Sequence, residues 1–392
     1  MDTREFSTVN YPSCIFLLER PGTFPYERFA YNALRIGVEA LNAANLPDHL
    51  EIGFDVGLFV DKPWTLNAEV APIGTSTSPV GYSVKTSPFT PLVLFGIIHR
   101  IGNRLLDSVV LKEWQYEPQC FVAEIQAIGN VVAVAVREYR IRGLGYSLKT
   151  LIEQFDLSLS NFYKSVDDFD VSVQFIVHHE IAHAYVDQFA QMKNHLPEQD
   201  FRAFEFIADL VATSWIYSGL IVNTPDSSSY REMRGFSTYT ESIRENTKWI
   251  LRTQLIVLVF LALSSAVHSG GKVSLEGGPL HPHTYLRYTM QQLHFMTLVL
   301  SNYKDAFTSK EVEAIDALWS EALRLFITTG LVPVSDLNVI FDDTRFADIR
   351  RAAAIAQELD IPELRSAQPF LAQLEAFSPE SDSDMSTLRF VE

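Results

Sequence analysis

Residues 171–186 read VSVQFIVHHEIAHAYV, and within them His179-Glu180-Ile181-Ala182-His183 sets two histidines four residues apart. On an α-helix that spacing is about one turn, so both imidazoles share a face and can reach a single zinc ion. Glu180 projects about 100° further round, from where it can take a proton from a water at that ion. Histidines aside, Glu180 is the only acidic or basic residue of the stretch. A helix this apolar is expected to be buried nearly all round, and a lone carboxylate in it is costly without a partner. A metal centre supplies the partner. The competing reading is a buried helix whose two histidines are satisfied by hydrogen bonds. His178 points away from the metal face and is expected to pack, or to support the ligands, without ligating.

A catalytic zinc site needs three protein ligands and a water. Val186 and Phe189 stand where a metzincin needs glycine and histidine, which excludes that class. Downstream, Glu205-Phe206-Ile207-Ala208-Asp209 offers a carboxylate instead. The first helix can run roughly 15 Å beyond His183, Asn194-His195-Leu196-Pro197 turns the chain, and Pro197 suits a helix start. Glu205 then lies about 11 Å back along an antiparallel neighbour, at the level of the histidines. Asp209, one turn on, is placed to accept a hydrogen bond from a ligand histidine. The bland alternative for both carboxylates is a solvated helix face, although their neighbours are apolar on several sides.

A third segment, Gly277-Gly278-Pro279-Leu280-His281-Pro282-His283-Thr284-Tyr285-Leu286-Arg287, reads as a glycine loop leading into a helix. A histidine or arginine there could stabilise the oxyanion of a tetrahedral intermediate, or be a plain helix-start histidine and surface arginine. The three segments in order (H-E-x-x-H, E-x-x-A-D, H-P-x-x-x-x-R) resemble the gluzincin metallopeptidases. They look most like the HtpX and CAAX-prenyl peptidase group and the soluble phage-exclusion peptidases of the Lit type. The resemblance covers roughly residues 171–290. It implies that His179, His183 and Glu205 bind one zinc ion per chain, that Glu180 is the general base, and that Asp209 orients a ligand histidine. It also implies that His281 and Arg287 line the catalytic cleft, with His283 able to replace His281. HtpX-type members are embedded in membranes. Here the most apolar run, Leu255–Val267, is shorter than the roughly 20 residues a bilayer requires, so a core helix is expected.

The remaining composition bounds partners and place. A net charge of −17 argues against nucleic acid or an anionic membrane as partner. Cys14 and Cys120 are the only cysteines and form no disulfide framework, and the N-terminus lacks a secretory pattern, so a cytoplasmic location is expected.

The spacing predicts a helix over 26–46, proline-punctuated segments after it, a loop over Ile73–Pro79 and a strand over Val131–Val136. Such a strand could pair with an extended substrate. Helices are predicted near 147–164, 171–193, 198–217, 240–267, 282–301, 309–328 and 345–358. The expected fold is α+β and predominantly helical, a zincin-like (gluzincin) core with an N-terminal mixed α/β part. Residues 1–125 form that part, a recognition or regulatory module; 126–377 form the metallopeptidase domain; 378–392 form a disordered acidic tail.

The expected function is a zinc-dependent endopeptidase acting on a cytosolic protein or peptide, with zinc-activated water as nucleophile and Glu180 as general base. His281, His283, Tyr285 or Arg287 would stabilise the oxyanion. The alternatives are a non-catalytic zinc-binding sensor on the same fold and a small-molecule amidohydrolase.

Overall fold

The computed structural model describes residues 51–56, 66, 68–75, 78–87, 89–102, 118–157, 159–193, 200–225, 227–268, 284–313 and 343–376. The expected helix over 26–46, Cys14, Pro197, His281, His283, the stretch 314–328 and the tail from 378 lie outside the described residues. Three strands, β1 (Glu51–Val56), β2 (Ala68–Thr75) and β3 (Ser78–Thr86), precede a run of helices. These are α1 (Thr90–Ile97), α2 (Pro118–Arg142), α3 (Leu144–Gln154), α4 (Leu159–Met192), α5 (Phe201–Tyr217), α6 (Ser228–Arg234), α7 (Tyr239–His268), α8 (Thr284–Tyr303), α9 (Asp343–Leu359) and α10 (Gln368–Ala376). The described part is predominantly helical, as its sequence patterns predict. Its contacts cluster into two units, Met1–Tyr185 with Leu255–Ser274, and Val186–Gln254 with Leu275–Glu392.

In the first unit the strands form one sheet in the order β1-β3-β2, with β1 parallel and β2 antiparallel to the central β3. Residues 73–79, expected as a loop, instead belong largely to the facing ends of β2 and β3. Pro72 is tolerated because β2 is an edge strand, where a missing N–H need not interrupt the ladder, and the register slips just after it, between Ile73 and Gly74. Ser87 then turns the chain into α1: its side-chain oxygen accepts from the Phe89 N–H and its carbonyl from Thr90. Pro91 occupies the first turn of α1, where a proline costs no helical hydrogen bond, and every residue of α1 is buried.

The strand expected over Val131–Val136 is wrong, since these residues lie inside α2. Read alone, the six residues favour β structure through their branched side chains. Read with their neighbours, Ile125, Ile128, Val131, Val132 and Ala135 are the buried positions, a spacing of three and four that belongs to a helix. The helical backbone also removes this segment as a partner for an extended substrate. Gly143, at φ 87°, separates α2 from α3, and Ser147 Oγ donates to the Ala135 carbonyl at 2.7 Å to fold the two helices together. Asp156, at φ 51°, ends α3 before α4 begins. Gly96 of α1 faces the Phe155 ring so closely that a Cβ there would sit 2.5 Å from it.

In the second unit α5 is buried from Ala203 to Tyr217, and α8 and α9 pack against it. Its mid-helix hydroxyls are satisfied locally: Thr213 donates to the Asp209 carbonyl at 2.8 Å and Ser214 to the Leu210 carbonyl at 3.0 Å. The apolar run Leu255–Val267 is one end of the long helix α7. Among the described residues two segments, Phe201–Asn223 and Tyr239–Ser264, are long and apolar enough to cross a membrane by length and composition, yet 78% of each window is buried in protein, as in a core helix.

His294 on α8 is fully buried, with Nε2 2.8 Å from Ser214 Oγ and its ring stacked on Phe370. Burial pushes its pKa down to about 3. The unfolded chain takes up this proton near pH 6.5 while the folded chain resists it. Stability is therefore present in full above about pH 6.5 and falls as pH drops toward 3, by at most about 1.4 kcal/mol per pH unit from this residue. Urea midpoints at pH 7.5 and pH 5 are expected to differ more for wild type than for His294→Gln; an equal difference would show that His294 does not carry this acid sensitivity.

Candidate metal centre and active site

Helix α4 is not buried all round. Between Val171 and Asp187 the half-buried positions are Ile176, His179, Glu180, His183 and Asp187, with Gln174 on the opposite side. Spacings of three, one, three and four place those five residues on one stripe. The stripe leaves the two histidines and Glu180 partly exposed, while Ile181, Ala182, Ala184 and Tyr185 anchor the helix. His178 lies off the stripe and is buried, in keeping with a packing residue.

The Nε2 atoms of His179 and His183 are 3.0 Å apart, with the rings nearly perpendicular. One ring donates to the other when no ion lies between them. The separation is close to the roughly 3.3 Å that two ligands of a tetrahedral zinc ion span with bonds of about 2.0 Å.

On α5, Glu205 and Asp209 are 7% and 2% exposed, and Arg287 of α8 is 8% exposed. Arg287 donates through Nε and Nη2 to the two oxygens of Asp209, at 2.7 and 2.9 Å. Its Nη1 lies 3.0 Å from Glu205 Oε2. Three ionisable side chains thus share one buried spot. A planar guanidinium suits this task, because it holds one carboxylate bidentately and still presents a nitrogen to another. The solvated-face reading of Glu205 and Asp209 does not survive their burial. The sequence placed a ligand histidine against Asp209 and left Arg287 as a cleft or oxyanion candidate; the structure brings Arg287 to both Asp209 and Glu205. The signal that could have revealed this is the apolar surround of all three, which leaves a buried arginine needing carboxylates.

His179, His183 and Glu205 each offer a ligand atom within 4.8 Å of the others, so the three could hold a metal ion. The donor chemistry fits a divalent ion: two imidazole nitrogens and one carboxylate oxygen. The side chain of Tyr285 lies outside the described residues, as His281 and His283 do.

No curated protein and no solved structure matches this chain. Residues 165–293, about a third of the chain, span the histidine helix, the Glu205–Asp209 pair and Arg287; they match the family model described as Peptidase U49, and the match supports a peptidase, hence a hydrolase.

Proposed function

We propose that the chain is a zinc-dependent endopeptidase of gluzincin type that cleaves a protein substrate in the cytoplasm. The observation that carries the reading is the convergence of His179, His183 and Glu205 beside Glu180, within the segment that matches a peptidase family. His179, His183 and Glu205 would hold the ion. When bound, a divalent ion supplies Lewis acidity that polarises a carbonyl and makes water acidic enough to be deprotonated near neutral pH.

The other tasks belong to the chain's own side chains. Glu180, on the solvent-facing stripe, accepts the proton of the attacking water and passes it to the amine nitrogen as the C–N bond breaks. Asp209 and Arg287 hold the Glu205 carboxylate in place from behind, because a buried guanidinium fixed bidentately by Asp209 has little freedom to leave Glu205. With Arg287 so engaged, the oxyanion role is left to His281, His283 or Tyr285. The net charge of −17 sets nucleic acid aside as the substrate.

The test is metal content. Purified wild type is expected to carry about one zinc ion per chain. Glu205→Ala is expected to weaken zinc binding by more than the roughly 10–100-fold that loss of an outer-shell partner costs. A wild type that stays free of metal under zinc-replete conditions would sink the proposal.

A further inference from the structure

A small apolar hollow opens in the first unit beside the helix that carries Glu180. On α4 it is lined by Val173, Ile176 and Val177. These residues stand seven, four and three positions before Glu180, so all three share its face of the helix. Side chains on a helix lean toward its N-terminus, which brings the Glu180 carboxylate back toward this turn. The other walls come from Ala68 of β2, Val84 and Thr86 of β3, and Thr90 and Leu94 of α1. Every lining residue is buried except Ile176, which is half-buried and belongs to the stripe of His179, Glu180 and His183. Ile176 therefore belongs both to the hollow's lining and to that stripe, one helical turn before Glu180.

We propose that this hollow receives a small aliphatic side chain of the substrate, the methyl group of alanine, at one position flanking the scissile bond. The inference rests on the peptidase reading above and adds the substrate class. Two observations choose the occupant. No acidic or basic residue lines the hollow, so a charged side chain would lose its hydration there without a partner. The space holds roughly one water-sized group, which admits a methyl group and excludes an aromatic ring. The sheet contributes to function through this wall: β2 and β3 shape the site's specificity without supplying a ligand.

The experiment uses peptides that vary at single positions around a mapped cleavage site. Cleavage is measured with wild type, and binding of the uncleaved peptides with Glu180→Gln by fluorescence anisotropy. A methylene in an apolar pocket is worth about 10–200-fold, so Ala is expected to exceed Phe, Asp or Lys by at least the lower figure at one position. Leu94→Ala, which deepens the hollow, is expected to shift the preference to Leu and Met. Ile176→Trp, at the half-exposed mouth and gentler on folding, is expected to abolish it. Cleavage with no small-aliphatic preference, or with a preference that Ile176→Trp leaves unchanged, overturns the inference. The preference in binding without any cleavage by zinc-loaded wild type keeps the hollow and removes the peptidase reading. Absence of both overturns the two together.

Discussion

Glu180→Gln is expected to lower turnover by about 10²–10⁴-fold while leaving zinc content unchanged. Glutamine keeps the length and shape of the side chain but cannot accept a proton. The loss should fall on kcat more than on KM, because the interaction removed is made in the transition state and not with the bound substrate. Stability should change little: Glu180 is half-buried on the open stripe of α4, and the substitution leaves no cavity. The checks are single-turnover cleavage of a mapped substrate and metal analysis of both proteins. A variant that keeps half of wild-type turnover would remove Glu180 from the mechanism. A variant that loses zinc as well would make it a ligand or a support for one.

Arg287→Met should have the largest effect on folding. It keeps much of the volume but leaves Glu205 and Asp209 buried without the guanidinium that faces both. Breaking a buried pair by removing one partner costs about 3–5 kcal/mol, since the carboxylates cannot regain their hydration in place. Urea unfolding of the zinc-free proteins reads this directly. Arg287→Lys should recover only part of the loss, because one ammonium cannot replace a bidentate fork and reach a second carboxylate. If Arg287 positions Glu205, zinc affinity should also fall, by about 10–100-fold. Wild-type stability and zinc affinity combined with a fall in kcat alone would return Arg287 to the oxyanion role.

Much of the candidate site was legible because its spacing is local. His179 and His183 sit on one face for any α-helix, and Glu205 and Asp209 repeat the same four-residue step. The apolar composition around them announced buried helices, and helices were found near their expected places, such as α5 at 201–217 and α8 at 284–303. The misread segment, 131–136, failed for a related reason. Six residues rich in valine carry β propensity, but whether a segment is strand or helix depends on which positions are buried, and that pattern emerges only over the length of α2. Residues 73–79 failed differently, because a glycine and a proline that read as a loop can also end a hairpin.

Chain order and spacing, then, sufficed to put His179 and His183 on one face of a helix with Glu180 beside them, and Glu205 and Asp209 one turn apart on the next, since each rests on relations within a turn or two of one helix. Packing alone settled the rest. Asp209 and Arg287 are 78 residues apart, and no periodicity links them; they meet because α8 packs against α5 and two carboxylates there require a cation. The apolar hollow joins α4 to residues 68–94, a region in which the sequence showed no site, because a cavity is a property of surfaces that come together and not of any one segment. Even the exposure of this stripe is tertiary: residues 171–186 read as apolar enough to be buried nearly all round, and the arrangement of neighbours leaves the face of Ile176, His179, Glu180, His183 and Asp187 partly open.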